Sequence, residues 1–218
     1  MRATMVGRVF ALGFLLFAGP AGAANFNIAD GDVAALVGAI NTANGNGVAD
    51  VITLAANGTY TLTTAAATGT GLPTITSAIT IEGSGATITR SGAAPSFRIV
   101  TITDPAIVIL RDLNVTNGDA GGRNSLTSRG GNIAVLGSNA PVLTLEDCVV
   151  SGGIAGIGAG IFVEPAGAVV TLTGGFVVAN LASRGAGIAL VGAAELNLDG
   201  TYVGSNSAVD FGGGGGGG

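Results

Sequence analysis

The stretch from residue 143 to residue 206 repeats one short pattern, written as Leu143-Thr144-Leu145, Val170-Thr171-Leu172 and Leu196-Asn197-Leu198. Weaker copies precede it at Ile52-Thr53-Leu54, Ile79-Thr80-Ile81 and Val108-Ile109-Leu110. The last apolar residues of the six copies stand at positions 54, 81, 110, 145, 172 and 198, which gives successive spacings of 27, 29, 35, 27 and 26. A period of this length is typical of solenoids, in which each repeat forms one coil. The sequence therefore predicts about six stacked coils.

The composition favours short strands over long helices. Of 218 residues, 40 are Gly and only 10% are charged. Gly, Thr, Asn and the β-branched residues that dominate the chain are poor helix formers. An all-β fold follows.

Each predicted coil contains three strands. We call the last apolar residue of each triplet its anchor and count offsets from it. The second strand places Val115, Val150 and Val177 at an offset of +5. The third strand places Phe97, Ile161 and Ile188 at a common offset of +16 from the anchors Ile81, Leu145 and Leu172. Residues two further on (Ile99, Val163 and Leu190) are also apolar, as an inward-facing strand requires. The predicted fold is a parallel β-helix.

The longest coil, from Leu110 to Leu145, contains an insertion. Its third strand begins at Ile133, at an offset of +23 from Leu110 instead of +16, so seven residues are extra. They fall within the polar segment Asp119 to Ser128. We expect this segment to leave the coil as a loop. Loops on rigid repeats often carry function, but a tolerated spacer is the simpler interpretation of this insertion.

The N-terminal segment resembles an export signal. Arg2 and Arg8 precede an apolar run that ends at a small-residue site, Ala21-Gly22-Ala23, which predicts a signal peptide over residues 1–23. A strand and an amphipathic helix are predicted within 24–50, because Val33, Leu36, Val37 and Ile40 follow good N-cap residues. The helix is expected to end at residues 44–47 and to cap the open edge of the first coil. The β-helix is assigned to 51–211, and the glycine run 212–218 is interpreted as a truncation.

Charge and cysteine content exclude several classes of partner and anchor. Without the two signal arginines the chain has six Arg and 13 acidic residues, a net charge of 6 − 13 = −7. Nucleic acid is therefore not an expected partner. After signal removal no segment is apolar enough to span a membrane. The only cysteine, Cys148, excludes an internal disulfide and is interpreted as a small buried hydrophobic residue.

In stacked coils, residues at equal offsets lie about 4.8 Å apart on neighbouring coils and form a column of side chains. Asn180 and Asn206 share one offset, with Asn117 one residue earlier, which predicts an amide ladder at a turn. Val149, Phe176 and Tyr202 share an outward offset and predict an exposed apolar column. Such a column meets a sugar or a protein, or is covered by a neighbouring loop.

These features together resemble exported right-handed parallel β-helix proteins of bacteria with the pectin-lyase-like fold. The nearest group is the surface proteins with polymorphic-outer-membrane-protein-type repeats, marked by Gly-Gly-Ala-Ile and Phe-x-x-Asn motifs. The first motif corresponds to Gly158-Ala159-Gly160-Ile161 and Gly185-Ala186-Gly187-Ile188. The second corresponds to Phe176-Val177-Val178-Ala179-Asn180, which is one residue longer. The resemblance implies a secreted or cell-surface protein, associated with the bacterial outer membrane.

Two functions fit this fold. The favoured one is non-enzymatic: a β-helical adhesin, passenger or scaffold segment that contacts carbohydrate or a cell-surface protein and needs no cofactor. The alternative is a polysaccharide lyase or hydrolase, since lyases of this fold use Asp-bound Ca²⁺ with a basic residue and hydrolases use paired carboxylates. Its candidates are Asp112 and Asp147, which share an offset on adjacent coils and are the calcium candidates, and Arg129 and Arg184, which precede glycine-rich turns. Turn-forming aspartates and solvated arginines are the simpler interpretation.

Overall fold

The computed structural model describes residues 22–209. Its helix is α1 (Val33–Asn46). Its strands are β1 (Asn25–Ile28), β2 (Asp50–Leu54), β3 (Thr59–Leu62), β4 (Ile79–Arg90), β5 (Val100–Ile102), β6 (Ile107–Thr116), β7 (Ile133–Val135), β8 (Val142–Glu146), β9 (Val149–Ser151), β10 (Ile154–Ile157), β11 (Ile161–Val163), β12 (Val169–Thr173), β13 (Phe176–Val178), β14 (Leu181–Arg184), β15 (Ile188–Leu190), β16 (Glu195–Asp199), β17 (Tyr202–Gly204) and β18 (Ser207–Ala208).

The strands form a parallel β-solenoid of about seven turns, which confirms the predicted fold class. The first face is a parallel stack in the order β1, β2, β4, β6, β8, β12, β16. Leu145 pairs with Leu110 on one side and with Leu172 on the other. The recurring triplets are therefore successive coils. The N-terminal strand β1 pairs with β2 and adds a coil before the first predicted copy.

Up to three further stacks complete a turn. The second face consists of β3, the C-terminal halves of β4 and β6, and then β9, β13 and β17. A short stack of β10, β14 and β18 follows, and then the stack of β5, β7, β11 and β15. The three predicted strands are present in the C-terminal coils, with an additional short strand (β10, β14 or β18) before the last of them.

The main core consists of stacked rows of mostly aliphatic side chains along the solenoid axis. Alternate residues of each strand point inward, so Ile52, Ile81, Leu110, Leu145 and Leu172 stack in one buried row. Burying each such side chain contributes about 1.5–3 kcal/mol. The hydrophobic effect therefore fixes the register, since a slip of one residue would expose the whole row.

Helix α1 covers the N-terminal end of this core, as predicted. The Asp32 carboxylate accepts a hydrogen bond from the Ala35 N–H and caps the helix start. Leu36 and Ile40 are buried in the main core. The helix ends at Gly47, which adopts the left-handed conformation typical of a C-terminal cap.

The register of the first predicted copy was wrong. Ile52, and not Leu54, pairs with Ile81, so the spacing between these coils is 81 − 52 = 29 instead of 27. Both Ile52 and Leu54 point inward and both are buried. Periodicity alone did not distinguish them, because alternation makes either one a valid anchor.

The third strand of the coil that begins at Ile79 was also misplaced. Val100, and not Phe97, pairs with Ile133, although Phe97 is buried. The offset from Ile81 to Val100 is 100 − 81 = 19 residues, three more than the predicted 16. Two of these three extra residues lie in the bend around Ser84, where the pairing moves from Glu82–Arg111 to Ala86–Leu113. The predicted positions of Ile133, Ile161 and Ile188 are confirmed by their mutual pairing.

Two predicted segments fall mostly outside the described residues. These are the signal peptide, of which residues 1–21 are not described, and the glycine run 212–218.

Candidate functional site

The second face presents two columns of outward side chains. They alternate along each strand with buried residues such as Ile88, Val115 and Val150. From the N-terminal to the C-terminal coil, one column contains Thr59, Thr87, Asn114, Val149, Phe176 and Tyr202. The other contains Thr61, Thr89, Thr116, Ser151, Val178 and Gly204. The face thus changes from hydroxyl-rich to apolar along the axis.

The predicted apolar column is confirmed at the C-terminal half of this face. Val149, Phe176 and Tyr202 pair in register, and we refer to these three residues as the apolar column. Phe176 is 51% exposed and Tyr202 is 55% exposed. Their ring centroids are 6.2 Å apart in an edge-to-face arrangement, which is a favourable geometry for two aromatic rings.

Gly204 leaves room for the Tyr202 ring. A Cβ atom at position 204 would collide with ring carbons and the hydroxyl of Tyr202. Because glycine leaves this space open, the hydroxyl end of the ring extends over the neighbouring column. The ring stays exposed, and an exposed aromatic ring offers a large apolar contact area with a polar end.

Charge is confined to other parts of the described surface. On the first face Arg111 forms ion pairs with Glu82 and Glu146 on the coils before and after it. These carboxylates raise the pKa of Arg111. The twelve outward residues of the second face include no Asp, Glu, Arg or Lys. Arg90, at the end of β4, donates to the carbonyls of Ser91, Ala94 and Asn117.

Asp112 and Asp147 occupy equivalent turns between the first and second faces of adjacent coils. Both have positive φ, 45° and 51°, and are exposed. A Cβ atom at Gly174 would collide with the Asp147 carboxylate, so this side chain lies over the next coil. Asp tolerates the left-handed region better than most residues, which explains both aspartates as turn residues.

No described group of three or more His, Cys, Asp or Glu side chains could hold a metal ion. Ca²⁺ takes six to eight oxygen ligands, and Asp112 and Asp147 supply two carboxylates. The geometry therefore does not favour calcium at this turn, and the calcium site stays a prediction from the sequence.

Arg129 and Arg184 lie at a different corner of the coil, on either side of Ile157. Arg129 forms an ion pair with Glu164, and its guanidinium carbon is 5.3 Å from the centroid of the Phe162 ring. Arg184 is exposed at the end of β14. The structure therefore brings the two carboxylates to one turn and the two arginines to another.

The insertion loop is confirmed. Asp119 pairs with Ile154 and Arg129 pairs with Ile157. The ten residue steps from Asp119 to Arg129 therefore lie opposite three steps from Ile154 to Ile157, so the loop contains seven extra residues. The loop lies over the next coils, where the Ser183 hydroxyl donates to the Arg123 carbonyl. A cavity of about 570 Å³ lies beside it, lined by Gly121 to Ser125 with Ile154 and Leu181. This cavity is a second candidate site.

The amide ladder is confirmed for Asn180 and Asn206, and it includes a residue that the sequence analysis missed. Asn132 donates from Nδ2 to Asn180 Oδ1, and Asn180 donates from Nδ2 to Asn206 Oδ1. Asn117 is not a member, because its amide donates to Thr89. The signal for Asn132 was its position directly before the strand anchor Ile133. These bonds satisfy turn groups of the coil, which is a structural role.

Cys148 is buried, as predicted. Its thiol donates to the Leu110 carbonyl at 3.2 Å, and burial raises its pKa to about 11. Such a thiol is protonated near neutral pH and is not a nucleophile.

No family model, curated protein or solved structure matches this chain. Within residues 22–209, no helix combines the length and the apolar character needed to cross a membrane.

Proposed function

We propose that this chain is a non-enzymatic, exported β-helical segment of a bacterial cell surface, of the adhesin, passenger or scaffold type. In this proposal it binds carbohydrate through the apolar column. The observation that carries the proposal is the exposed pair Phe176 and Tyr202 on a rigid, charge-free sheet. The signal-like N-terminus and the resemblance to pectin-lyase-like surface proteins support export.

The geometry suits binding better than catalysis. The strands of Phe176 and Tyr202 pair with each other in the parallel ladder, which fixes the backbone positions of the two residues, so they need little reorganisation to receive a ligand. An active site needs acid and base groups within reach of one bond. Here Asp112 and Asp147 lie at one corner of the coil, and Arg129 and Arg184 lie at another.

Affinity electrophoresis tests the proposal. The purified protein is run through gels that contain either uncharged polymers (hydroxyethyl cellulose, galactomannan) or acidic ones (polygalacturonate, alginate). We expect at least one polymer to retard the protein, and Phe176→Ala with Tyr202→Ala to abolish the retardation. Ile107→Ala is the matched control, because Ile107 is 53% exposed on the first face.

Two outcomes would contradict the proposal: no polymer retards the protein, or the double variant is retarded as strongly as the wild type. The enzymatic alternative has its own assay, in which polygalacturonate or alginate is incubated with the protein and new chain ends are measured. Cleavage that is lost in Asp112→Ala or Asp147→Ala would replace the binding proposal with a lyase or hydrolase.

A further inference from the structure

Hydroxyl and amide side chains occupy both outward columns of the second face on strands that precede Phe176. Thr59 and Thr61 project from β3, and Thr87 and Thr89 project from the paired segment of β4. Asn114 and Thr116 follow on β6, and Ser151 follows on β9. Every one of these side chains ends in a neutral group that can both donate and accept hydrogen bonds.

These columns and the apolar column form one straight track. Six strands contribute to it, and parallel strands lie about 4.8 Å apart, so five intervals span about 24 Å. Because each coil lies directly over the last, the same two outward positions recur at a fixed spacing. A ligand that also repeats along a line can contact every coil in the same way.

The absence of charge from these twelve positions restricts the ligand. After the signal segment the sequence has 13 acidic residues against six Arg, a net charge of −7. An anionic polymer would need nearby cations to offset this repulsion. Arg90, the cation closest along the strand, is already bonded to three backbone carbonyls.

We infer that the second face binds an uncharged, linear polysaccharide that lies along the solenoid axis. The sugar rings rest on Tyr202, Phe176 and Val149, and their hydroxyls exchange hydrogen bonds with the threonine columns. This inference rests on the proposed function. It adds the chemical class of the ligand, its direction along the axis and the polar residues that contact it.

The recognition has two physical parts. Sugar rings have apolar C–H surfaces that pack against aromatic rings, and Phe176 and Tyr202 are both more than half exposed. Threonine combines a methyl group with a hydroxyl, so a column of threonines matches the alternating C–H and O–H groups of a sugar chain. A single neutral hydrogen bond contributes little to the binding free energy, but the repeated coils provide several such bonds along the track.

The test uses the same gels, with variants in the hydroxyl columns. Thr59→Val with Thr61→Val removes two exposed hydroxyls from one strand and keeps side-chain shape and strand propensity. Thr171→Val with Thr173→Val makes the same change on β12 of the first face and is the matched control. Circular dichroism spectra verify that each variant keeps the fold.

We expect hydroxyethyl cellulose or galactomannan to retard the wild type, with no dependence on salt concentration. Thr59→Val with Thr61→Val is expected to weaken this binding about tenfold, since two neutral hydrogen bonds are lost, and the β12 control is expected to bind like the wild type.

Retardation by polygalacturonate or alginate alone would overturn the inference about the ligand. The proposed function would survive this result if Phe176→Ala with Tyr202→Ala still abolished binding. Unchanged affinity in Thr59→Val with Thr61→Val would also overturn the inference. If none of the four polymers retards the protein, both the inference and the proposed function are overturned.

Discussion

Asn180 is the most connected polar side chain of the amide ladder. Its Oδ1 accepts from Asn132 Nδ2 and from the Gly153 N–H, and its Nδ2 donates to the Val150 carbonyl and to Asn206 Oδ1. The side chain is buried, so water cannot replace these bonds. Asn180 therefore joins its own coil to three others.

We predict that Asn180→Ala lowers the free energy of unfolding by about 2–4 kcal/mol, because several buried polar groups lose their partners. Asn197→Ala is the control, since Asn197 is exposed and bonds only locally to Glu195; it should change stability by less than about 0.5 kcal/mol. Urea midpoints measured by circular dichroism compare the two. Equal midpoints would show that the ladder is dispensable.

Cys148 should be nearly inert in the folded protein. A pKa raised from 9.0 to about 11 lowers the thiolate fraction at pH 8 about 100-fold. We expect iodoacetamide to label the native protein at least about 100 times more slowly than the protein unfolded in urea. Rapid native labelling would mean that the thiol is accessible and ionised.

The same thiol makes stability depend on alkaline pH. The unfolded state has the lower pKa and loses its proton first, so the free energy of unfolding falls as pH rises from about 9 to about 11. Below pH 9 the contribution of the protonated thiol is fully present. Cys148→Ala should remove this part of the decline, and unfolding curves of both proteins at pH 8 and pH 10.5 measure it. An identical decline in both proteins would assign it to other groups.

At the scale of single elements, the insertion loop is separable from the coil that bears it. Deletion of residues 121–127 leaves Asp119, Ala120, Ser128 and Arg129, which restores the three-step spacing of Ile154 to Ile157. Ala120 already packs against the small alanine cluster of the neighbouring coils.

We predict that this seven-residue deletion keeps the fold and changes the free energy of unfolding by about 1 kcal/mol or less. The variant loses the Ser183–Arg123 hydrogen bond and gains a shorter, less costly connection. Thermal unfolding followed by circular dichroism measures the effect. Loss of the β spectrum would show that the loop is required for folding.

The elements that the sequence predicted well are those whose turns have constant length. In β8 and β12 the step from the first-face anchor to the second-face residue is five residues, from Leu145 to Val150 and from Leu172 to Val177. In the earlier coil the step from Ile81 to Ile88 is seven residues, because the bend around Ser84 is longer. The alternation of buried and outward residues does not reveal this longer bend, because an even number of extra residues keeps every following side chain on the same side of the strand.

The candidate site shows the same limit. The offset placed Val149, Phe176 and Tyr202 in one column, since their coils share turn lengths. The threonines of β3 and β4 belong to the same face, but longer bends displaced them from the expected offset. The room that Gly204 makes for the Tyr202 ring could not be predicted from the sequence, because it depends on the direction of the Tyr202 side chain in the folded chain.

For the molecule as a whole, stability is expected to depend on position in the stack. Leu145 and Leu198 belong to the same row, but Leu145 is 2% exposed and Leu198, on the last described coil, is 49% exposed. In a repeat protein each coil is stabilised by its neighbours.

We predict that Leu145→Ala costs about 2–5 kcal/mol in the free energy of unfolding, whereas Leu198→Ala costs about 1 kcal/mol or less. The two variants remove identical atoms, so the difference measures the contribution of the neighbouring coils. Urea unfolding of both variants tests it, and equal costs would contradict a nearest-neighbour description.

The parallel ladders of the first face also determine how the molecule should respond to a mechanical load. Their hydrogen bonds run along the axis, so tension between the two termini peels coils from an end instead of shearing the whole sheet. Each peeled coil frees about 27 residues, as from Leu145 to Leu172, or about 90 Å of extended chain at roughly 3.4 Å per residue. Force spectroscopy should record a sawtooth with about this period, and a longer step for the coil from Leu110 to Leu145 that bears the insertion loop.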